Sequence, residues 1–221
     1  MVTLNIKSKI VKKKRVRPVY SPVHFRQIES MWKNITPYGR RKRILLSILY
    51  LSGARISEIR QLRKKDFKIV LDKDGVELLI LNMVTLKNRE NKFRTIVLKK
   101  VSDYAPMINE IESYLKHLDE HERVFTQSTR TLRRWVADLP EFTTTAVRPG
   151  VTESYDVTRK WYPHFFRHCR LTHLVEYHHF DAIRLMNFAG WSSPILANVY
   201  IRLDWKNLAD LIEEGQIPND Y

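Results

Sequence analysis

The stretch HFFRHCRLTHLVEYHH, residues 164–179, holds five of the eight histidines of the chain and its one cysteine. Two chemistries could use it. In one, His164, His168, Cys169, His173, His178 and His179 are ligands of a metal ion. In the other, His164 and Arg167 form a phosphate-gripping pair and the rest are incidental. Zinc sets need tight pairs such as C-x2-C, or H-E-x-x-H on a helix. Here His164/His168 and Cys169/His173 are both i,i+4 pairs, but an offset of five residues turns a helix by about 140°, so the pairs diverge. No metal is expected. His164 and Arg167, three apart, share a helix face, and a helix starting near Pro163 adds the positive end of its dipole to the same spot.

Other residues could act on the same phosphate. In LYLSGARISEIRQL, Arg55 follows Gly53 at a helix junction. Its planar fork could meet a phosphate beside the free N–H groups of the next helix; the alternative is a surface arginine paired with Glu58. Lys87 lies at a strand turn and could donate a proton, with Lys92 a competitor in the same hairpin. In AGWSSPILANVYIRLDW, Trp191 stands nine residues before Tyr200.

The bulk composition agrees with an anionic partner. The chain has 221 residues and a net charge of +15, an excess that favours nucleic acid first and a membrane surface second. Hydrophobic residues make up 43%, enough for a core. A single cysteine forms no internal disulfide, which fits a reducing, cytoplasmic setting. No apolar run approaches the roughly 20 residues of a membrane span, and MVTLNIKSKIVKKKRVRP lacks the apolar segment of a signal peptide.

Hydropathy periods set out the elements. Residues 1–18 read as a basic, flexible arm, and residues 19–221 as one domain. Ser21–Pro22 resembles an N-cap and first helical position, followed by Phe25, Ile28, Met31 and Trp32 at helical spacing. GRRKRILLSILYLSG is a second helix, basic at Arg40, Arg41 and Lys42, ended by Gly53. A short helix spans about 57–62. The run from Asp66 to Leu98 has three β-rich segments split by DKDG and NREN, a small antiparallel sheet. TRTLRRWVADL is a basic helix carrying Arg133 and Arg134. Residues 140–161 read as a long loop. Helices are expected near 163–177, 180–188, 194–203 and 205–214, the last amphipathic. The fold class is mainly α with a small three-stranded antiparallel β-sheet (α+β).

The ordered set resembles the tyrosine recombinase (phage integrase) family. SGARISEIRQL is similar to its first arginine box, PHFFRHCRLTHLVE to its second, and GWSSPILANVYIRLD to its tyrosine box, with tryptophan where most members carry histidine. The match covers roughly residues 20–214. It implies the family's catalytic-domain fold and a catalytic set of Arg55, Lys87, His164, Arg167, Trp191 and Tyr200, supported by Glu58 and His168. Arg40, Arg41, Lys42, Lys92, Arg133 and Arg134 would meet DNA. The N-terminal core-binding domain usual in the family is expected to be absent.

The implied reaction is site-specific cleavage and rejoining of double-stranded DNA without cofactor, ATP or metal. Tyr200 attacks the phosphorus and leaves a 3′-phosphotyrosine and a free 5′-hydroxyl. Arg55 and Arg167 hold the non-bridging oxygens, Lys87 protonates the leaving 5′-oxygen, and His164 takes the phenol proton. The Trp191 indole N–H donates to a phosphate oxygen. Protomers are expected to assemble on paired sites as dimers to tetramers, with the protein at the nucleoid. Tyr155, Tyr162, Tyr177 and Tyr221 compete for the nucleophile's role, but Tyr200 has the family spacing. The alternatives are a non-catalytic DNA-binding module of the same fold and a type IB topoisomerase-like enzyme.

Overall fold

The apolar run ILLSILYLS is long enough for a buried helix, and it forms the axis of the molecule. A computed structural model describes residues 18–85, 92–100, 102–147 and 153–201. In it, α2 (Arg40–Ser52) is buried continuously from Ile44 to its end. It packs against α4 (Ala105–Leu115) and α6 (Pro163–Glu176). Burying each such Ile or Leu contributes about 1.5–3 kcal/mol. The helix stops at Gly53, whose φ of 56° is the left-handed conformation that glycine adopts without steric cost. One turn of helix, α3 (Ile56–Ile59), follows at once.

α1 (Phe25–Lys33) buries Phe25, Ile28 and Trp32 at the expected spacing, but it begins later than Ser21–Pro22 suggests. The His24 imidazole caps it by accepting from the Arg26 N–H at 3.2 Å. Ser21 is otherwise engaged. Its N–H donates to Thr145 O at 2.8 Å and its carbonyl accepts from Thr144 Oγ1 at 2.7 Å. These bonds extend the pairing of β1 (Val19–Tyr20) with β5 (Phe142–Val147).

The anticipated three-stranded sheet is present, in the order β2 (Phe67–Leu71), β3 (Glu77–Thr85), β4 (Lys92–Lys99). On β3, Leu79, Leu81, Met83 and Thr85 face inward; on β4, Arg94, Ile96 and Leu98 do so. Lys92 pairs with Thr85 and Arg94 with Met83.

A second sheet was not anticipated. The segment expected to be a loop folds as β5 and β6 (Ser154–Arg159), giving the order β1–β5–β6. The signal lay in FTTTAV. Phe142, Thr144 and Ala146 alternate inward, and β-branched threonines suit a half-buried strand. Trp161 closes the base of the hairpin, its indole donating to Pro140 O at 2.8 Å and its ring 4.2 Å from that of Phe142.

α5 (Thr129–Ala137) is capped by Ser128, and α7 (Ala182–Ala189) by Asp181. The helix expected over 194–203 is a shorter 3-10 segment, Pro194–Val199, and Tyr200 caps its end. The basic arm, up to residue 17, and the helix anticipated at 205–214 lie outside the described residues.

Candidate active site

Two chain reversals bring the candidate residues together. Gly53 turns the chain out of α2, so that Arg55 sits as the N-cap of α3. The Glu58 carboxylate then accepts the Arg55 backbone N–H at 2.9 Å and the Arg55 guanidinium at 2.7 Å. The carboxylate fixes both ends of Arg55. The sequence alone suggests a surface pairing of these two residues, but the Glu58 side chain is fully buried and the pair is not a surface one.

Pro163 starts α6 where its missing N–H costs nothing. Arg167, one turn in, is buried. Its guanidinium donates to Gly53 O at 2.5 Å and to Ala189 O at 2.9 Å. These bonds join α6 to the ends of α2 and α7. His164, on the same face, remains open to solvent.

α7 ends at Gly190, with φ 66°. A Cβ there would lie 2.9 Å from Arg94 Cδ and 3.0 Å from Thr85 Oγ1, so only glycine lets the sheet approach this turn. Trp191 follows, 5.6 Å below the Arg167 guanidinium. The Tyr200 ring lies nearly parallel to the indole at 5.7 Å and 5.6 Å from the His168 ring.

Arg55, Ser57, His164, Arg167, Trp191, Leu196, Val199 and Tyr200 line one pocket of about 590 Å³. No carboxylate is among the lining groups. Two guanidiniums, an imidazole and an indole suit the oxygens of a tetrahedral anion, and they would repel a cation. Among the described residues, no three His, Cys, Asp or Glu side chains gather into a metal-binding group.

Protonation follows from the surroundings. Partial burial of the ring at the pocket wall, then the charges of Arg167 and Arg55, hold the His164 imidazole below the usual histidine range. It is therefore neutral at pH 7 and able to take a proton. Burial, with Arg94 and Arg55 nearby, lowers Arg167 to about 10, which leaves it charged. Burial pushes the Tyr200 phenol up, and Arg167 offsets this only in part. The cations alone do not pre-ionise this tyrosine.

The model of the phage integrase family matches residues 23–207. The chain belongs to the phage integrase family. Two Escherichia coli proteins named Resolvase, one of them from strain K12, are each 26% identical, over 153 and 152 residues. The matches cover 61% of this chain and 56% and 54% of theirs, so the chain spans about half the length of these curated relatives. Solved structures share the fold. The XerH site-specific recombinase bound to difH substrate has a TM-score of 0.59 at 18% identity, covering 89% of this chain and 55% of that one. The catalytic domain of bacteriophage HP1 integrase has a TM-score of 0.52 at 16% identity, covering 90% and 97%.

Further candidate residues stand around this pocket. His168 sits behind Tyr200, with its Nε2–H donating to Tyr20 O at 2.8 Å, and so links the nucleophile candidate to β1. Arg133, exposed on α5, is close enough for its charge to act on His164; Arg134 is exposed beside it. Arg40 is turned instead toward α4, pairing with Glu110 at 3.4 Å and Ser113 at 2.8 Å. The α2 start that it shares with Arg41 and Lys42 lies about 20 Å along the helix axis from Gly53. Lys92 opens β4, and Lys87 lies outside the described residues.

The remaining histidines go separate ways. His173 is buried against the Tyr50 hydroxyl at 2.9 Å, and His178 meets the Tyr104 hydroxyl at 3.2 Å. Cys169 is buried, and burial raises its thiol to about 12.

Arg94 was not anticipated. Its Nη2 donates to Glu58 Oε2 at 3.1 Å, and its Nη1 donates to the Phe188 carbonyl. Burial lowers it from the ordinary arginine value, opposed by Glu58 and helped by Arg55. The sequence did carry a cue. Arg94 is in phase with the inward positions Ile96 and Leu98, where a solvated lysine or arginine would not be placed.

Proposed function

We propose that the chain is a site-specific DNA recombinase that cleaves and rejoins strands through a 3′-phosphotyrosine formed by Tyr200. The observation that carries this is one pocket lined at once by Tyr200, Arg55, Arg167, His164 and Trp191. Binding DNA alone requires no tyrosine beside two guanidiniums. Solved structures of the same fold include the XerH site-specific recombinase bound to difH substrate and the Tn1549 transposon integrase in complex with transposon right-end DNA.

In the proposed reaction the Tyr200 oxygen attacks phosphorus while neutral His164 takes its proton. The bond to the 5′-oxygen breaks, and Lys87 supplies the proton that makes it a hydroxyl. Arg55 and Arg167 face the two non-bridging oxygens as charge builds on them, and the Trp191 indole donates a further hydrogen bond. Such donors, already held by Glu58 and by two carbonyls, need not reorganise during reaction. Each is worth about 2.7–4 kcal/mol, a factor of about 10² to 10³ in rate. Rejoining is the reverse attack by a different 5′-hydroxyl, with the bond energy conserved in the phosphotyrosine.

Nicked suicide duplexes carrying inverted-repeat candidate sites test this. A protein–DNA adduct that survives SDS is expected. DNA retention without adduct would identify a non-catalytic binding module. Relaxation of supercoiled plasmid without site preference would identify a topoisomerase-like enzyme. Assembly as dimers to tetramers on paired sites belongs to the same proposal. Removing residues 205–221 should weaken multimers on DNA in ultracentrifugation, and unchanged assembly would argue against a role for that segment.

A further inference from the structure

We propose that Arg94 is a positioning residue that holds Arg55 in its phosphate-facing geometry through Glu58 and ties that geometry to the turn carrying Trp191. The inference rests on the recombinase reading of the pocket.

Glu58 is the hub. Its Oε1 accepts the Arg55 guanidinium at 2.7 Å. Its Oε2 accepts both the Arg55 backbone N–H at 2.9 Å and Arg94 Nη2 at 3.1 Å. The Glu58 and Arg94 side chains are 0% and 3% exposed, so water cannot stand in for either partner. A buried carboxylate with a single cation at one edge would be under-compensated and free to follow that cation. With Arg94 at its other oxygen, the carboxylate is held in place, and Arg55 has one position from which to meet an anion.

The other arm of Arg94 reaches a different element. Its Nη1 donates to the Phe188 carbonyl, and the next carbonyl, that of Ala189, accepts from Arg167. Arg94 Cδ then lies against Gly190, where any side chain would collide with it. Thus one guanidinium from β4 touches the support of Arg55 and the end of α7, just before Trp191. β4 also pairs with β3, and Lys87 falls between these two strands in the sequence. Arg94 does not line the pocket, so its influence on the phosphate passes through Arg55.

The test compares single-turnover cleavage of a suicide duplex bearing a normal scissile phosphate with one bearing a methylphosphonate, in which an uncharged methyl replaces one non-bridging oxygen. A residue that works by keeping a guanidinium on the charged oxygens loses its influence when that charge is removed. A residue that merely supports the fold slows both substrates. Arg94→Met should slow phosphodiester cleavage about tenfold to a hundredfold, less than loss of a direct donor. It should slow methylphosphonate cleavage less than about threefold and leave DNA affinity unchanged. Equal slowing of both substrates, or none, would overturn the inference.

Arg94→Lys keeps a cation for Glu58 and serves if the methionine variant fails to fold. It should show the same substrate-selective slowing in smaller degree, with the Arg55 Nε–H resonance shifted or broadened in ¹⁵N-arginine spectra. An unchanged Arg55 resonance would overturn the inference. If the unaltered protein forms no adduct on any duplex, the recombinase reading has failed instead, and the Arg55 resonance alone decides the role of Arg94.

Discussion

Arg167 donates to the carbonyl of Gly53, 114 residues away in sequence, at 2.5 Å. Through that bond the second arginine of the pocket is anchored to the turn that presents the first. The two guanidiniums are nevertheless held differently. Arg167 completes two buried backbone carbonyls, whereas Arg55 leans on a carboxylate that has a second partner.

This difference should separate the two arginines experimentally. Arg167→Ala leaves the carbonyls of Gly53 and Ala189 without donors, which should cost on the order of 2–5 kcal/mol of stability. Arg55→Ala leaves Glu58 bonded to Arg94 and to the N–H of residue 55, and water can enter the place of a side chain that is 19% exposed, so the loss should be smaller, about 1.5–2 kcal/mol for one hydrogen bond to a charged group. Both should slow cleavage about 10² to 10³-fold. Denaturant unfolding beside single-turnover cleavage checks this, and equal losses of stability would contradict it.

His164 should set the acid side of the pH–rate profile. Its folded pKa lies below 6.5, so the neutral imidazole is the populated form above that pH. Cleavage at subsaturating DNA, which reports the free enzyme, should fall as pH drops through that lowered value. His164→Gln should remove this limb and slow the reaction about 10² to 10⁴-fold. A limb centred above pH 7, or one that survives in His164→Gln, would show that another group titrates.

His173 should govern stability in mild acid. Burial, with Arg170 nearby, lowers it to about 4. Above pH 6.5 it is neutral in both the folded and unfolded states and contributes no pH dependence. Between pH 6.5 and about 4 the unfolded state binds the proton first, so stability falls as pH falls. The drop from 6.5 to about 4 corresponds to about 3 kcal/mol. His173→Gln should remove that share of the slope in urea unfolding measured from pH 7 to 4. An undiminished slope would place the titration elsewhere.

Local spacing made much of the pocket legible. His164 and Arg167 share a helix face because they are three apart, and Gly53 marks a helix end because a left-handed residue is needed there. The rest depended on non-local neighbours. The β5–β6 hairpin was obscured because threonines suit both loops and strands, and its pairing with Val19–Tyr20 spans most of the chain. Ser21 looked like a cap because its sheet partners, Thr144 and Thr145, are distant in sequence. Arg94 stands in a run rich in basic residues, and only its inward phase with Ile96 and Leu98 separates it from the solvated ones. The remaining histidines also illustrate this, because the partners of His173 and His178, Tyr50 and Tyr104, come from elements far upstream.

Tyr200 is the proposed nucleophile. The most direct test of that role is to trap the protein on a nicked suicide duplex, digest the SDS-resistant adduct, and locate the nucleotide-bearing peptide by mass spectrometry, with Tyr200→Phe in parallel. The expected result is a 3′-phosphotyrosine on Tyr200 and no adduct from Tyr200→Phe, which still binds the duplex. An adduct that persists in Tyr200→Phe, or one that maps to Tyr155, Tyr162 or Tyr177, would contradict it.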